Sequence, residues 1–251
     1  MDVKTKTLLR AIAAGSLTFA LAACSSSGPA PARAPAAPHE LYWAYESAGD
    51  AIGPAGWGSL AGDVVCATGT VQSPVALASA GAKHAPNVLS FVYGPTPLKI
   101  TNSGHTQQVD VEPGRHIDLD GVSYALLQFH FHSPSEHTLD GRRFPLEMHL
   151  VHAGADGNPA VVVGVLFEEG AANAPLGPFF ANLPKARGSA APAGLTIDPA
   201  AILPASRSFL HYVGSLTTPP CSEGIRWFVL TTPVTASAEQ PVKQENLHRD
   251  D

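Results

Sequence analysis

The chain has 251 residues, with 15 Lys and Arg against 21 Asp and Glu for a formal net charge of -6. Hydrophobic residues make up 45% and charged ones only 14%, so one domain with a sizeable core is expected rather than a solvated disordered chain. The acidic balance and the lack of any Lys/Arg cluster exclude nucleic acid as a natural partner. Glycine and proline, 23 of each, interrupt the chain too often for long helices and favour short strands joined by turns.

In chain order, Lys4, Lys6 and Arg10 form a basic start, and residues 11–23 are uncharged and mostly apolar. This reads as a signal peptide, too short to span a bilayer, which takes about 20 residues; an uncleaved anchor is the alternative. Leu21-Ala22-Ala23-Cys24 resembles the bacterial lipoprotein cleavage box, which would make Cys24 the lipidated N-terminus of an exported protein. Residues 25–39 are rich in Ser, Ala and Pro, the composition of an extended tether. The expected organisation is a leader at 1–23, lipid anchor and tether at 24–39, and a single domain at 40–251. The destination is the periplasm or the cell surface, on a membrane.

With Cys24 committed to lipid, Cys66 and Cys221 remain as an even pair in a compartment that permits disulfides, so a bond between them is expected. Two unpaired buried thiols are the alternative.

Seven of the eleven histidines lie between His105 and His152. From Gln128 to His132 polar and aromatic residues alternate, the period of a strand. Side chains two apart share a face, so Gln128, His130 and His132 point one way while Phe129 and Phe131 point into a core. Leu146–His152 repeats the alternation, with Glu147, His149 and Val151 on one face, and can supply a third imidazole. Three histidines with an open fourth position are the arrangement of a catalytic zinc ion, so Zn²⁺ is the expected cofactor. Gln128 and Glu147, each two residues before a ligand, are candidates to hold the other ring nitrogens. An isolated H-x-H pair is a weak signal, since many strands carry one facing solvent; the second strand and its acid strengthen it.

Beyond these patterns, Gln128–His137 (QFHFHSPSEH) and the run from Ser135 through Phe144 to Glu147-Met148-His149-Leu150-Val151 resemble the signature of the α-class carbonic anhydrases. Ser215–Pro220 (SLTTPP) is similar to that family's active-site loop, and Gln72-Ser73-Pro74 and Asn102-x-Gly104-His105 match further motifs. The similarity runs from about Leu41 to Gln240 with its landmarks in order. It implies a mainly β fold, one large twisted, mostly antiparallel sheet with short peripheral helices. The implied activity is reversible hydration of CO₂ to bicarbonate and a proton, by attack of zinc-bound hydroxide. His130, His132 and His149 match the ligands, Thr217 and Glu136 the pair that orients the hydroxide, and His105 the proton shuttle, with Ser103 departing from the asparagine usual beside it. Val151, Val162, Leu216 and Trp227 match the apolar wall of the substrate pocket, which Thr218 completes. Cys66 and Cys221 match the disulfide of exported members, and Ser73-Pro74 and Pro219-Pro220 match sites of cis peptide bonds. His137 is expected to be a buried hydrogen-bonding residue. His116, His152, His211 and His248 receive no functional role.

One departure stands out. After Gln240 the family's Asn-x-Arg-Pro-x-Gln segment is not found, and residues 241–251 read as a shortened or frameshifted end. That segment would supply the carbonyl that receives the second N–H of His132. Two other function classes stay open: a zinc-binding surface protein of the same fold without turnover, which this departure favours, and a metal-dependent esterase that would use the same zinc-hydroxide.

Overall fold

The computed structural model describes residues 42–47, 49–83 and 88–240. The expected leader, the Cys24 anchor and its tether, His248 and the terminal segment 241–251 lie outside the described residues.

Among the described residues, ten strands form the main sheet. They are β1 (Leu89–Val92), β2 (Ile100–Asn102), β3 (Gln107–Asp110), β4 (His116–Leu119) and β5 (Val122–His132). After them come β6 (Leu146–Ala153), β7 (Pro159–Glu169), β8 (Gly188–Ala190), β9 (Phe209–Ser215) and β10 (Glu223–Ala236). The order across the sheet is β8-β2-β3-β5-β6-β7-β10-β9, with β4 on the first half of β5 and β1 beyond it. Pairing in this sheet is antiparallel except between β7 and β10. Among the described residues the α-helices are short and peripheral: Val65–Thr68, Gly177–Ala181 and Pro199–Ile202. The mainly β, mostly antiparallel fold is the expected one. None of these helices is long and apolar enough to cross a membrane.

Local sequence accounts for these elements. β4 and β5 are joined by Asp120-Gly121, both at positive φ (54° and 83°), the tight hairpin turn that Asp-Gly favours. β6 and β7 lie in the middle of the sheet, and every residue of β6 is buried. Residues Val161–Phe167 of β7 form an unbroken apolar run because that strand too is covered on both faces. One face carries the larger core, with Phe129, Phe131, Met148, Leu150, Phe179 and Phe228. The other carries a smaller apolar cluster of Val151, Val162, Leu166, Trp227 and Val229. The polar face of β5 and β6 therefore sits beside packed apolar walls, which fixes the direction of every histidine on it.

Cys66 and Cys221 are bonded, with Cα atoms 5.1 Å apart, joining the Val65–Thr68 helix to the loop between β9 and β10. The Ser73-Pro74 and Pro219-Pro220 bonds are cis, as is Ser133-Pro134, which sequence had not marked.

Candidate metal centre

Strand register builds the centre. β5 and β6 run antiparallel with His130 opposite His149 and His132 opposite Glu147. Their shared face therefore brings His130, His132 and His149 together, each offering one ring nitrogen within 4.8 Å of the others. The ring centroids are 4.5 to 5.3 Å apart. A second group, Glu147 with His137 and His149, also meets the spacing for a metal. Glu147 and His137, however, are already bonded to each other, which leaves the three histidines as the open donor set.

Outer partners decide which nitrogen faces inward. His130 Nδ1 is 2.8 Å from Gln128 Oε1, so Nε2 is left for a metal. His149 Nε2 is 2.9 Å from Glu147 Oε1, so Nδ1 is left. His132 has no hydrogen bond to any described residue from either nitrogen, and its Nδ1 lies 3.3 Å from Glu136 Oε1. Burial lowers the pKa of all three imidazoles, His130 to about 3 and His132 well below its usual value, and it outweighs the opposing Glu147 charge at His149. They stay neutral at physiological pH, the form that donates to a metal.

Glu136 is pushed the other way, up to about 8, by burial and by the nearby Glu147 charge, against the Thr217 side chain and Arg143. Thr217 follows the end of β9 in a loop closed by two backbone bonds, Leu216 N–H to Ser222 O (3.0 Å) and Cys221 N–H to Thr218 O (2.9 Å). The disulfide and the Gln72 amide, which donates to the Cys221 carbonyl at 3.1 Å, brace the same loop.

A cleft of about 930 Å³ opens on this group, lined by His132, Glu136, Thr217 and His105 together with Tyr45, Trp57 and Arg143. His105 sits in a turn shaped by Asn102 and Ser103. The Asn102 side-chain carbonyl accepts from Gly104 N–H (2.8 Å), and the Ser103 hydroxyl accepts from the backbone of His105 and Thr106. The His105 ring stacks on Trp43 at 3.6 Å, nearly parallel at 13°. Val151, Val162 and Trp227 are buried in the smaller apolar cluster, with Leu216 packed against them; they flank the histidines but do not line the cleft. The Trp227 ring is 4.8 Å from that of His149. Thr218 is half-buried beside Thr217.

Three residues that sequence reasoning passed over for this site are Trp43, Tyr45 and Tyr212, and it gave Ser215 no role beyond its place in the SLTTPP motif. Tyr212 bonds His137, and Ser215 holds the loop that carries Thr217. Trp43 and Tyr45 stand at a spacing of two before the first turn, a weak aromatic signal.

The sequence model of the eukaryotic-type carbonic anhydrases matches residues 52–251. The chain belongs to that family. A carbonic anhydrase of Pectobacterium atrosepticum is 45% identical over 227 residues, 90% of this chain and 87% of its own length. One from Klebsiella pneumoniae is 38% identical over 213 residues, 83% and 85% of the two chains. Among solved structures, the α-carbonic anhydrase of Thermovibrio ammonificans in complex with sulfanilamide superposes with a TM-score of 0.76 at 38% identity, covering 82% of this chain and 91% of that one. The chain is thus a carbonic anhydrase, an enzyme family whose general reaction is CO₂ hydration.

Proposed function

We propose that this carbonic anhydrase hydrates CO₂ reversibly with a zinc ion held by His130, His132 and His149. The observation that carries the reading is three neutral imidazoles with inward nitrogens within 4.8 Å of one another, beside Glu136 and Thr217. An all-nitrogen set with no thiolate suits Zn²⁺. Bound there, zinc supplies the Lewis acidity that makes water nucleophilic at neutral pH, for which carbonic anhydrases are themselves the standard example, and the positive charge that draws Glu136 towards its ionised form.

The chain's own residues do the rest. Gln128 and Glu147 fix the ring orientation of His130 and His149. Thr217 donates its hydroxyl proton towards the Glu136 carboxylate, which leaves the Thr217 oxygen lone pairs facing the site as acceptors. Val151, Val162, Leu216 and Trp227, packed behind the histidines, back the metal end of the cleft with apolar surface that offers CO₂ no competing dipole, with Thr218 at the margin. His105, half-buried at the cleft and stacked on Trp43, carries the released proton to buffer.

Stopped-flow CO₂ hydration, with zinc content measured on the same sample, tests this. Zinc-dependent turnover abolished in His132→Ala is expected. A folded, zinc-loaded and inactive protein would instead support a metal-binding protein without turnover, a reading in keeping with His132 Nδ1 having no hydrogen bond to any of the described residues.

The N-terminal pattern supports a lipid anchor on Cys24 and export to the periplasm or cell surface, with a membrane as the attachment surface. Fatty-acid labelling of the full chain, lost in Cys24→Ser, is the expected outcome; unlabelled wild type would remove the anchor from the account.

A further inference from the structure

We propose that Tyr212 is a positioning residue that ties the metal ligand His149 to the loop bearing Thr217 through one continuous chain of hydrogen bonds. This inference rests on the zinc reading of the three histidines. Its first half starts at Glu147, which is fully buried and whose two carboxylate oxygens both have partners. Oε1 faces His149 Nε2 at 2.9 Å and His137 Nδ1 at 2.7 Å, while Oε2 accepts from the His137 backbone N–H at 2.9 Å. His137 is fully buried as well, so its remaining ring nitrogen needs a partner inside the protein. The Tyr212 hydroxyl is that partner, 2.7 Å from His137 Nε2.

The second half runs from Tyr212 to the loop. The Tyr212 hydroxyl donates to Ser73 Oγ at 2.9 Å, and that oxygen also accepts from the Ser215 N–H at 3.0 Å. Ser73 N–H returns a bond to Ser215 Oγ at 2.9 Å, and Ser215 Oγ donates to the Leu216 carbonyl at 2.8 Å. The next residue is Thr217. Two contacts show that the path is built closely. A Cβ added at Gly214 would collide with both Ser73 Oγ and the Tyr212 ring, so only glycine allows them to meet there. A Cβ at Gly164, opposite His149 in the ladder, would sit 3.2 Å from Glu147 Oε1.

Tyr212 touches neither the ligand nitrogens nor Thr217; it acts through His137 and Ser73. Losing an outer-shell partner typically weakens metal binding about 10- to 100-fold. Tyr212 lies two bonds further out, so a smaller loss, roughly 3- to 10-fold, is expected from Tyr212→Phe. The test is metal affinity by chelator competition on full-length wild type, Tyr212→Phe, Ser73→Ala and the double variant. The visible spectra of the cobalt-loaded forms and the urea stability of each metal-free form are recorded alongside.

If the chain acts as a unit, both single variants bind metal more weakly and shift the cobalt spectrum in the same sense, and the double is no weaker than Tyr212→Phe alone. A Tyr212→Phe protein that binds within twofold of wild type, or a double variant equal to the sum of the singles, would overturn the inference and leave the zinc reading standing. Lowered stability of the metal-free form with an unchanged cobalt spectrum would also overturn it, because it marks a merely structural role. Wild type that takes up no metal would remove both readings. If Tyr212→Phe does not fold, Ser73→Ala alone decides, with weaker binding expected and wild-type binding fatal to the inference.

Discussion

His130 and His149 face each other directly across the β5–β6 ladder, ring centroids 5.3 Å apart. Their meeting is fixed by backbone pairing and by the apolar residues on the opposite face of both strands, so it does not depend on an ion. Removing metal with a chelator is therefore expected to abolish CO₂ hydration while leaving the far-ultraviolet circular dichroism unchanged, and zinc should restore the rate. The melting temperature should rise again with added zinc, because an ion that binds only the folded state stabilises it by mass action. Loss of β-structure on chelation would show that the site and the fold are one cooperative unit.

Thr217 offers no ring nitrogen or carboxylate, and its hydroxyl engages Glu136. Thr217→Val keeps the shape and removes that hydroxyl. The expected result is a kcat lower by about 100-fold, the scale of a misplaced reacting group, with zinc content unchanged. Parallel loss of zinc would place Thr217 in metal retention instead.

Much of this centre was legible in sequence because the period of a strand is local. Two residues apart means one face, so His130 with His132, and Glu147 with His149, could be placed before any register was known. What sequence could not show is which residues from far away arrive beside them. Tyr212 meets Ser73 across 139 positions, and nothing within either segment marks the encounter. His152 illustrates a different limit. Alternation puts it on the Met148 and Leu150 face, but only the packing of β6 between two cores reveals that this face is fully buried. Ser133-Pro134 escaped because an X-Pro pair alone does not state its isomer.

The Cys66–Cys221 bond joins residues 155 apart and ends on the loop that follows Thr217. Chain-entropy reasoning gives about 4 to 5 kcal/mol for a loop of that length, and measured effects are often smaller. Urea unfolding of the Cys66→Ser, Cys221→Ser protein is expected to show a loss of about 2 to 5 kcal/mol. Equal midpoints for the bonded and serine forms would mean that the loop is held by its backbone bonds and Gln72 alone.

His152 is fully buried, with Nε2 2.6 Å from the Tyr93 hydroxyl and Nδ1 3.3 Å from the Val161 carbonyl. The carbonyl takes the Nδ1–H, so the tyrosine donates to Nε2 and the ring is neutral. Burial lowers its pKa from 6.5 to about 3. Between those values the unfolded chain binds a proton that the folded protein refuses, so stability present above pH 6.5 is lost progressively as the pH falls towards 3, by about 1.4 kcal/mol per pH unit. His152→Gln keeps a donor and an acceptor but does not titrate. Its stability, measured by urea titration from pH 7 to pH 4, should start lower or equal and fall less steeply than wild type, by the slope of one proton. Parallel curves would show that His152 is not a source of the acid sensitivity.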